Sequence, residues 1–420
     1  MHSGKTFSID MNIKRMQTAF KVLLLANLLF TVGDSMVWVY LAIYIYSFTE
    51  SLLLVSTSWL LFEMIWMASQ FIWGYIGDRI QRRSLILLSS VIGYTSSLAG
   101  VILLVNPYMK IASFAFSYLF VSGYYLNANA VGTLLKDYSH GEAIGFIASV
   151  YSMASFLGSI LATLIIFLGF SIADTYVVAI VIVLSATFVL PKIIRLEKQI
   201  TIPMRKGNVV RGGYKSLLRD IRVVVIIIST IMFCTSLSTL LTYFPIYYVE
   251  AVKGSLFLYG LSTSMISLLS LMLSPIFGKL ADKDVKGYIL TVGYSYTVLI
   301  AIALSLLTIH DPLILLIFVS IPAYVGYSIG QYTYFTNITT KENRSRMISL
   351  FHSSEELGYI FGYGILMVIS LIIESQNLFE IVYFSVVVSI GIAVLSAMFA
   401  ISLVRNYTTT KAEEQKEKMS

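Results

Sequence analysis

The placement of charge constrains this chain more than any other feature. Only 12% of its 420 residues are Asp, Glu, Lys or Arg, and 57% are hydrophobic, whereas a soluble protein carries about 25% charged residues. The charges are bunched. Between the bunches lie nearly uncharged stretches of at least the ~20 residues that cross a bilayer. Twelve such runs stand out, at 20–46, 52–75, 84–106, 111–135, 143–170, 174–194, 221–248, 255–281, 287–309, 312–337, 346–373 and 380–404. Several exceed the minimum, which implies tilt or turns outside the membrane. The chain reads as an all-α polytopic membrane protein.

The bases set the orientation. With the N-terminus in the cytoplasm, all 29 Lys and Arg except Lys110 and Lys253 fall in cytoplasmic segments, the bias that fixes topology in membranes. A multi-pass protein of the cell (plasma) membrane with both termini cytoplasmic is expected. The same count explains the net charge of +7 as topology and contact with anionic lipid, and nucleic-acid binding is left without support. The first apolar run is too long for a signal-peptide core, so the N-terminus is expected to be retained. The lone Cys234 sits in an apolar run, which excludes a disulfide framework and a Cys-based metal centre. No metal or other cofactor is expected, and a monomer is.

Residues 195–219 hold Pro203, three Gly and a strong basic excess, the composition of a linker. The expected organisation is a six-helix bundle over 1–194, a cytoplasmic linker over 195–219, a second six-helix bundle over 220–405 and a tail over 406–420. An internal offset of 204 supports a parallel duplication. It relates Ser51, Leu52 and Leu54 to Ser255, Leu256 and Leu258, Gly74, Asp78 and Arg79 to Gly278, Asp282 and Lys283, and Gly158 to Gly362.

The most distinctive stretch is Gly74-Tyr-Ile-Gly-Asp-Arg-Ile-Gln-Arg-Arg-Ser84, a charged turn between two apolar runs, echoed by Gly278-Lys-Leu-Ala-Asp-Lys283. With twelve spans and a basic central loop, the chain resembles the major facilitator superfamily over about 18–405. Gln81 stands where that family commonly has Gly, and Gly77 where it commonly has Ala. The mid-membrane Arg of proton-coupled members and the Gly-Pro kink of many antiporters are absent. The resemblance implies alternating access around a site near mid-membrane between two bundles. It also implies a conformational latch of Gly74, Asp78, Arg79, Arg82 and Arg83 with Gly278 and Asp282. Gly74 would let two helices approach closely, and Asp78 would meet a helix N-terminus. Arg82 and Arg83 also read simply as topology anchors.

Acids inside the spans are the sharper chemical signal. Asp34 lies mid-run and shares a helical face with Asn27, Thr31 and Trp38. Glu63 lies mid-run in the second span, and Glu355 and Glu356 lie somewhat on the cytoplasmic side of the middle of the eleventh. A charge at the bilayer centre costs at least ~2.5–3.5 kcal/mol, so each acid is protonated, paired or facing a wet cavity. No Lys or Arg lies near the centre of any span. Acids so placed suit reversible proton carriage or cation binding, and Asp34 leads because the resemblance implies that the first helix lines the cavity. Glu63 reads equally as a helix-packing donor. His352, Glu356, Tyr359 and Tyr363 form one stripe, and a His beside a carboxylate can pass a proton near neutral pH; Glu355 or His352 reads equally as part of the latch. Tyr124, Tyr125 and Asn127 in one span, and Tyr324, Tyr327 and Gln331 in another, are candidate cavity linings.

Two matches are rejected. Gly326-Tyr-Ser-Ile-Gly330 fits a hydrolase elbow but lies inside an apolar run with no strand-to-helix turn. Gly4-Lys5-Thr6 lacks the upstream Gly of a phosphate-binding loop. No nucleophile constellation appears, so a transporter of a small neutral or cationic solute is expected rather than an enzyme. Proton-coupled efflux of amphipathic or cationic compounds leads. The alternative is uptake of a neutral nutrient such as a sugar or nucleoside. A non-transporting receptor or scaffold would need a partner surface, which neither linker nor tail evidently offers.

Overall fold

A computed structural model describes the backbone of residues 3–80, 83–135, 140–199, 218–283, 285–338, 344–373 and 377–417, and side chains within 18–77, 79–80, 83–128, 150–196, 218–281, 286–334, 350–373 and 377–401. The described chain is helical throughout. The helices are α1 (Ser3–Thr49), α2 (Leu52–Arg79), α3 (Arg83–Leu103), α4 (Pro107–Leu135), α5 (His140–Phe167) and α6 (Ile172–Gln199). After residues 200–217, which lie outside the described set with most of the expected linker, come α7 (Ile221–Leu241), α8 (Leu256–Lys283) and α9 (Val285–Thr308). They are followed by α10 (Pro312–Val319, resuming as Ala323–Ile338), α11 (Arg344–Ile372) and α12 (Leu378–Glu417). Eleven membrane spans are long and apolar enough to cross among the described residues, and α4 matches them in length at 29 residues.

Two of the expected spans are interrupted. Beyond α7 the chain makes a short turn at Phe244–Ile246 and a π-helical turn at Tyr247–Ala251, following Pro245, which has no N–H to continue the α-helical ladder. Helix α10 breaks over residues 320–322, where Pro322 removes another donor.

Helices entered from the base-poor side carry side-chain caps, which satisfy otherwise orphaned N–H groups. Ser51 accepts from Leu54 N–H, Asn106 from Tyr108 N–H and Asn377 from Phe379 N–H. Asp311 accepts from both Leu313 and Ile314 N–H at 2.9 Å. At α6 the cap is reciprocal: Ser171 N–H donates to Asp174 and Asp174 N–H to Ser171, a capping box.

The chain divides into two compact units, the first Met1–Glu50, Leu61–Lys206 and Leu256–Leu268, the second Ser51–Leu60, Gly207–Ser255 and Leu269–Ser420. In the first, α1 packs against α4, α5 and α6, and α3 against α4 and α6. In the second, α7 packs against α11 and α12, and α9 against α10 and α12. Apart from α1 with α4, each of these pairings recurs under a six-helix shift, so two six-helix bundles are related by a parallel pseudo-repeat.

The correspondence reaches single side chains. Phe30 stacks on Tyr124 with centroids 3.8 Å apart and planes 6° off parallel; Phe233 and Tyr327, each 203 residues later, stack at 3.8 Å and 2°. Gly158 lies so close to α1 that an added Cβ would fall on the Val32 carbonyl oxygen and 2.9 Å from Ser35 Cβ. Gly362 lies likewise on α7, against Ser238 Oγ and 2.8 Å from Thr235 O. Small residues at such crossings bring backbones together where lipid offers no hydrophobic drive. Large apolar side chains such as Phe71, Phe188 and Met398 point outward, more than half exposed, as a lipid-facing surface requires.

Candidate functional site

In the first unit, α1 presents Asn27, Thr31, Asp34 and Trp38 at helical spacing, and α3 and α4 supply their partners. Tyr94 donates to Asp34 Oδ1 at 2.9 Å and Tyr125 donates to Oδ2 at 2.9 Å. The Trp38 ring is within hydrogen-bonding reach of the same carboxylate. Tyr125 also approaches Thr31 Oγ1 at 3.4 Å. Asp34 is 5% exposed, and no ion pair to it forms among the described residues. Among the described residues its charge is met by neutral donors, the Tyr94 and Tyr125 hydroxyls and the Trp38 ring.

The carboxylate lies in the wall of a cavity of about 470 Å³. Rings from Trp38, Trp66, Tyr125 and Tyr259 share the lining with hydroxyls, including Ser155 and Ser159; among the described lining residues Asp34 is the one acid and none is Lys or Arg. Ser35 and Ser155 hydroxyls bond at 3.2 Å. Such a lining offers aromatic faces, hydroxyl donors and acceptors, and a single negative point.

Several candidates lie elsewhere. Tyr124 is fully buried, flat on Phe30, with its hydroxyl donating to Asn27 Oδ1 at 3.0 Å. Asn127 donates to Gly123 O at 2.9 Å. Glu63 is buried in α2, 8% exposed. In the second unit, Gln331 donates to the Tyr327 hydroxyl at 3.1 Å, and that hydroxyl bonds Ser229 at 3.0 Å, which builds a polar packing seam. None of these side chains is among the described residues that line the cavity.

A second acid cluster lies in the second unit. Glu355 Oε2 faces His352 Nδ1 at 2.8 Å, and Oε1 accepts from the Tyr324 hydroxyl. The histidine pairs with Glu355, three residues on, rather than with Glu356 of the stripe read from sequence. Positions i+3 and i+4 are equally near on a helix, and Tyr324 from α10 holds Glu355 at the inner edge. Glu356 is partly buried with an interaction of its own. Tyr359 and Tyr363 stack at 6.5 Å, and Trp59 stacks on Tyr363 at 5.7 Å.

In the turn motif, Arg79 lies 4.0 Å over the Tyr75 ring, and Arg83 is partly buried. An added Cβ at Gly74 would meet only Leu126, at 4.0 Å, so the close approach falls one turn later, where Gly77 leaves 2.9 Å to Asn127 Oδ1. Gly278 has nothing within 4 Å. The Asp78 and Asp282 side chains and all of Arg82 lie outside the described residues.

Sequence reasoning missed Tyr94 and Trp66. Tyr occurs 28 times in the chain, so nothing marks Tyr94 until α3 is seen beside Asp34.

No curated protein gives a significant match. Solved structures do. A bacterial homolog of the human lysosomal transporter Spinster, inward-facing and unoccupied, is 15% identical, with 94% of this chain and 98% of that one covered and a TM-score of 0.68. The nucleoside transporter NupG is 12% identical, covering 92% and 99%, with a TM-score of 0.70. The peptide transporter POT is 13% identical, covering 92% and 95%, with a TM-score of 0.69. At these identities the likeness is one of fold. A family model described as Major Facilitator Superfamily matches residues 23–363, and the chain belongs to that superfamily of membrane transporters.

Proposed function

We propose that this transporter couples inward proton movement to export of cationic or amphipathic compounds across the cell membrane, by alternating access. The observation that carries this reading is Asp34, the one carboxylate among the described residues in the wall of a cavity of about 470 Å³ lined by rings and hydroxyls. That volume is in the ~300–1,000 Å³ range of small-molecule sites. A cation entering it meets the carboxylate and the ring faces of Trp38, Trp66 and Tyr125, which attract positive charge. An anion meets the carboxylate and no base. Desolvated in the membrane, Asp34 favours holding one positive charge, from a proton or from a substrate. Competition for that place provides exchange: a proton arriving from outside releases the compound outward, and a compound loading from inside releases the proton. Tyr94 and Tyr125 donate to the carboxylate and so lower the cost of the interval when neither is bound.

In this reading the bundles over 1–194 and 220–405 alternate, both termini are cytoplasmic and the working unit is a monomer. The charged turns at Gly74 to Arg83 and Gly278 to Asp282 act as the latch. The hydroxyls of Ser35, Ser155, Ser159, Thr263 and Ser267 favour a second reading, proton-linked or facilitated uptake of a neutral nutrient such as a sugar or nucleoside. NupG, of the same fold, is a nucleoside transporter.

Purified protein in liposomes under an imposed pH gradient separates the two. Internal pH is followed while cationic, neutral and anionic compounds are added in turn. Proton flux triggered by the cationic set alone supports export, and flux triggered by sugars or nucleosides supports the second reading. Flux triggered by anions alone, or exchange with no proton flux, overturns the proton–cation account.

A further inference from the structure

We infer that Glu355 is a second proton-binding site, lodged in the second unit and reached through His352. The inference goes beyond the Asp34 reading and does not depend on it. Glu355 is buried, its side chain 6% exposed, whereas that of His352 is 56% exposed. His352 is the third residue of the span Leu350–Ile372. Glu355 lies one turn deeper, about 4.5 Å along the axis. Arg344 and Arg346 stand in the first turn of α11, which places this end on the cytoplasmic side under the reading of the charges.

The two carboxylate oxygens have separate tasks. Tyr324 donates to Oε1 and fixes the group, leaving Oε2 against His352 Nδ1 at 2.8 Å. In the transfer step the Nδ1–H bond of the imidazolium breaks and an O–H bond forms at Oε2. A carboxylic acid and a neutral imidazole with its proton on Nε2 result, and loss of that proton to water with a turn of the ring and uptake of a fresh proton from solvent readies the histidine for the next transfer. An imidazole can take up and release a proton near neutral pH, and a buried carboxylate with no Lys or Arg paired to it among the described residues is neutralised by a proton, its own or that of the histidine facing it. Among the described residues the titratable groups around the pair are Tyr324 from α10, Cys234 from α7, and Glu356 and Tyr359 on α11 itself. Among the described residues no Lys or Arg is paired with Glu355. Tyr324 is a positioning residue and His352 the port.

Infrared difference spectroscopy of the full-length protein in lipid tests this without substrate or transport. Raising the pH should remove a carboxylic-acid C=O component that Glu355→Gln lacks and Asp34→Asn retains. After a rapid drop in pH, His352→Ala should regain that component about tenfold more slowly or worse, while keeping its final amplitude. The inference is overturned if Glu355→Gln retains every pH-sensitive carboxyl component, or if His352→Ala regains it at the wild-type rate. Should Glu355→Gln fail to fold, the His352→Ala kinetics decide alone. Loss of the Asp34 component leaves this site standing, and the reverse also holds.

Discussion

Replacing Gly158 by alanine presses a methyl group onto the Val32 carbonyl oxygen and to within 2.9 Å of Ser35 Cβ. The obstacle is backbone, so α5 has to withdraw from α1. Overpacking of this kind costs about 1–3 kcal/mol, and the better helix propensity of Ala offsets roughly 1 kcal/mol of it. The net loss is about 1 kcal/mol. Gly293 and Gly391 have nothing within 4 Å, so alanine there keeps only the propensity gain of up to about 1 kcal/mol. The two classes therefore differ by roughly 2 kcal/mol, on the order of 2–4 °C in melting temperature for a chain this long. Gly362→Ala should lie between them, because its nearest obstacle is the Ser238 hydroxyl, which can turn aside. Thermal unfolding of the purified variants in one detergent at one heating rate compares them, since such unfolding is commonly irreversible and rate-dependent. Gly158→Ala melting at or above Gly293→Ala would refute the close-packing argument.

Two further variants test other parts of the account. Asp220 caps α7 by accepting from Arg222 N–H at 2.9 Å, and the Arg222 guanidinium holds its carboxyl below the ordinary carboxylate value. Asp220→Ala should lose about 1 kcal/mol, present above the unfolded carboxylate pKa near ~4 and lost as pH falls through the lower folded value. The melting difference from wild type should be flat from about pH 5 upward and shrink as the pH falls below the unfolded carboxylate value; a difference independent of pH contradicts it. Trp66→Ala should weaken binding of a cationic substrate about 3–30-fold through loss of a ring face worth roughly 0.5–2 kcal/mol. An equal loss for a neutral isostere in the same binding assay would make the ring a packing group only.

The membrane made much of the fold legible. Long runs such as 84–106 and 380–404 can be satisfied in lipid by helices, and the offset linking Gly158 to Gly362 exposed the duplication. The matching pairs Phe30–Tyr124 and Phe233–Tyr327 stayed hidden, because Phe and Tyr are too common here for spacing to single them out. The π-turn after Pro245 and the break before Ala323 were also hidden, since hydropathy averages over a few residues. At the site, Asp34 was legible because an acid in mid-span has to be explained. Its partners Tyr94 and Tyr125 come from helices whose rotation about their axes is set by packing. The pairing of His352 with Glu355 rather than Glu356 was undecidable from periodicity and was settled by Tyr324 on another helix. Gly74 drew attention as the motif glycine, yet the tight contact is at Gly77, where Asn127 crosses.

The central claim is that Asp34 is where proton and substrate compete. The most direct test runs two assays on Asp34→Asn in liposomes beside wild type. One is uphill movement of a cationic substrate driven by a pH gradient, and the other is exchange of labelled for unlabelled substrate without any gradient. The account predicts that wild type does both, while Asp34→Asn loses the gradient-driven movement and keeps exchange of neutral or weakly bound compounds. Gradient-driven accumulation by Asp34→Asn at the wild-type level would contradict it.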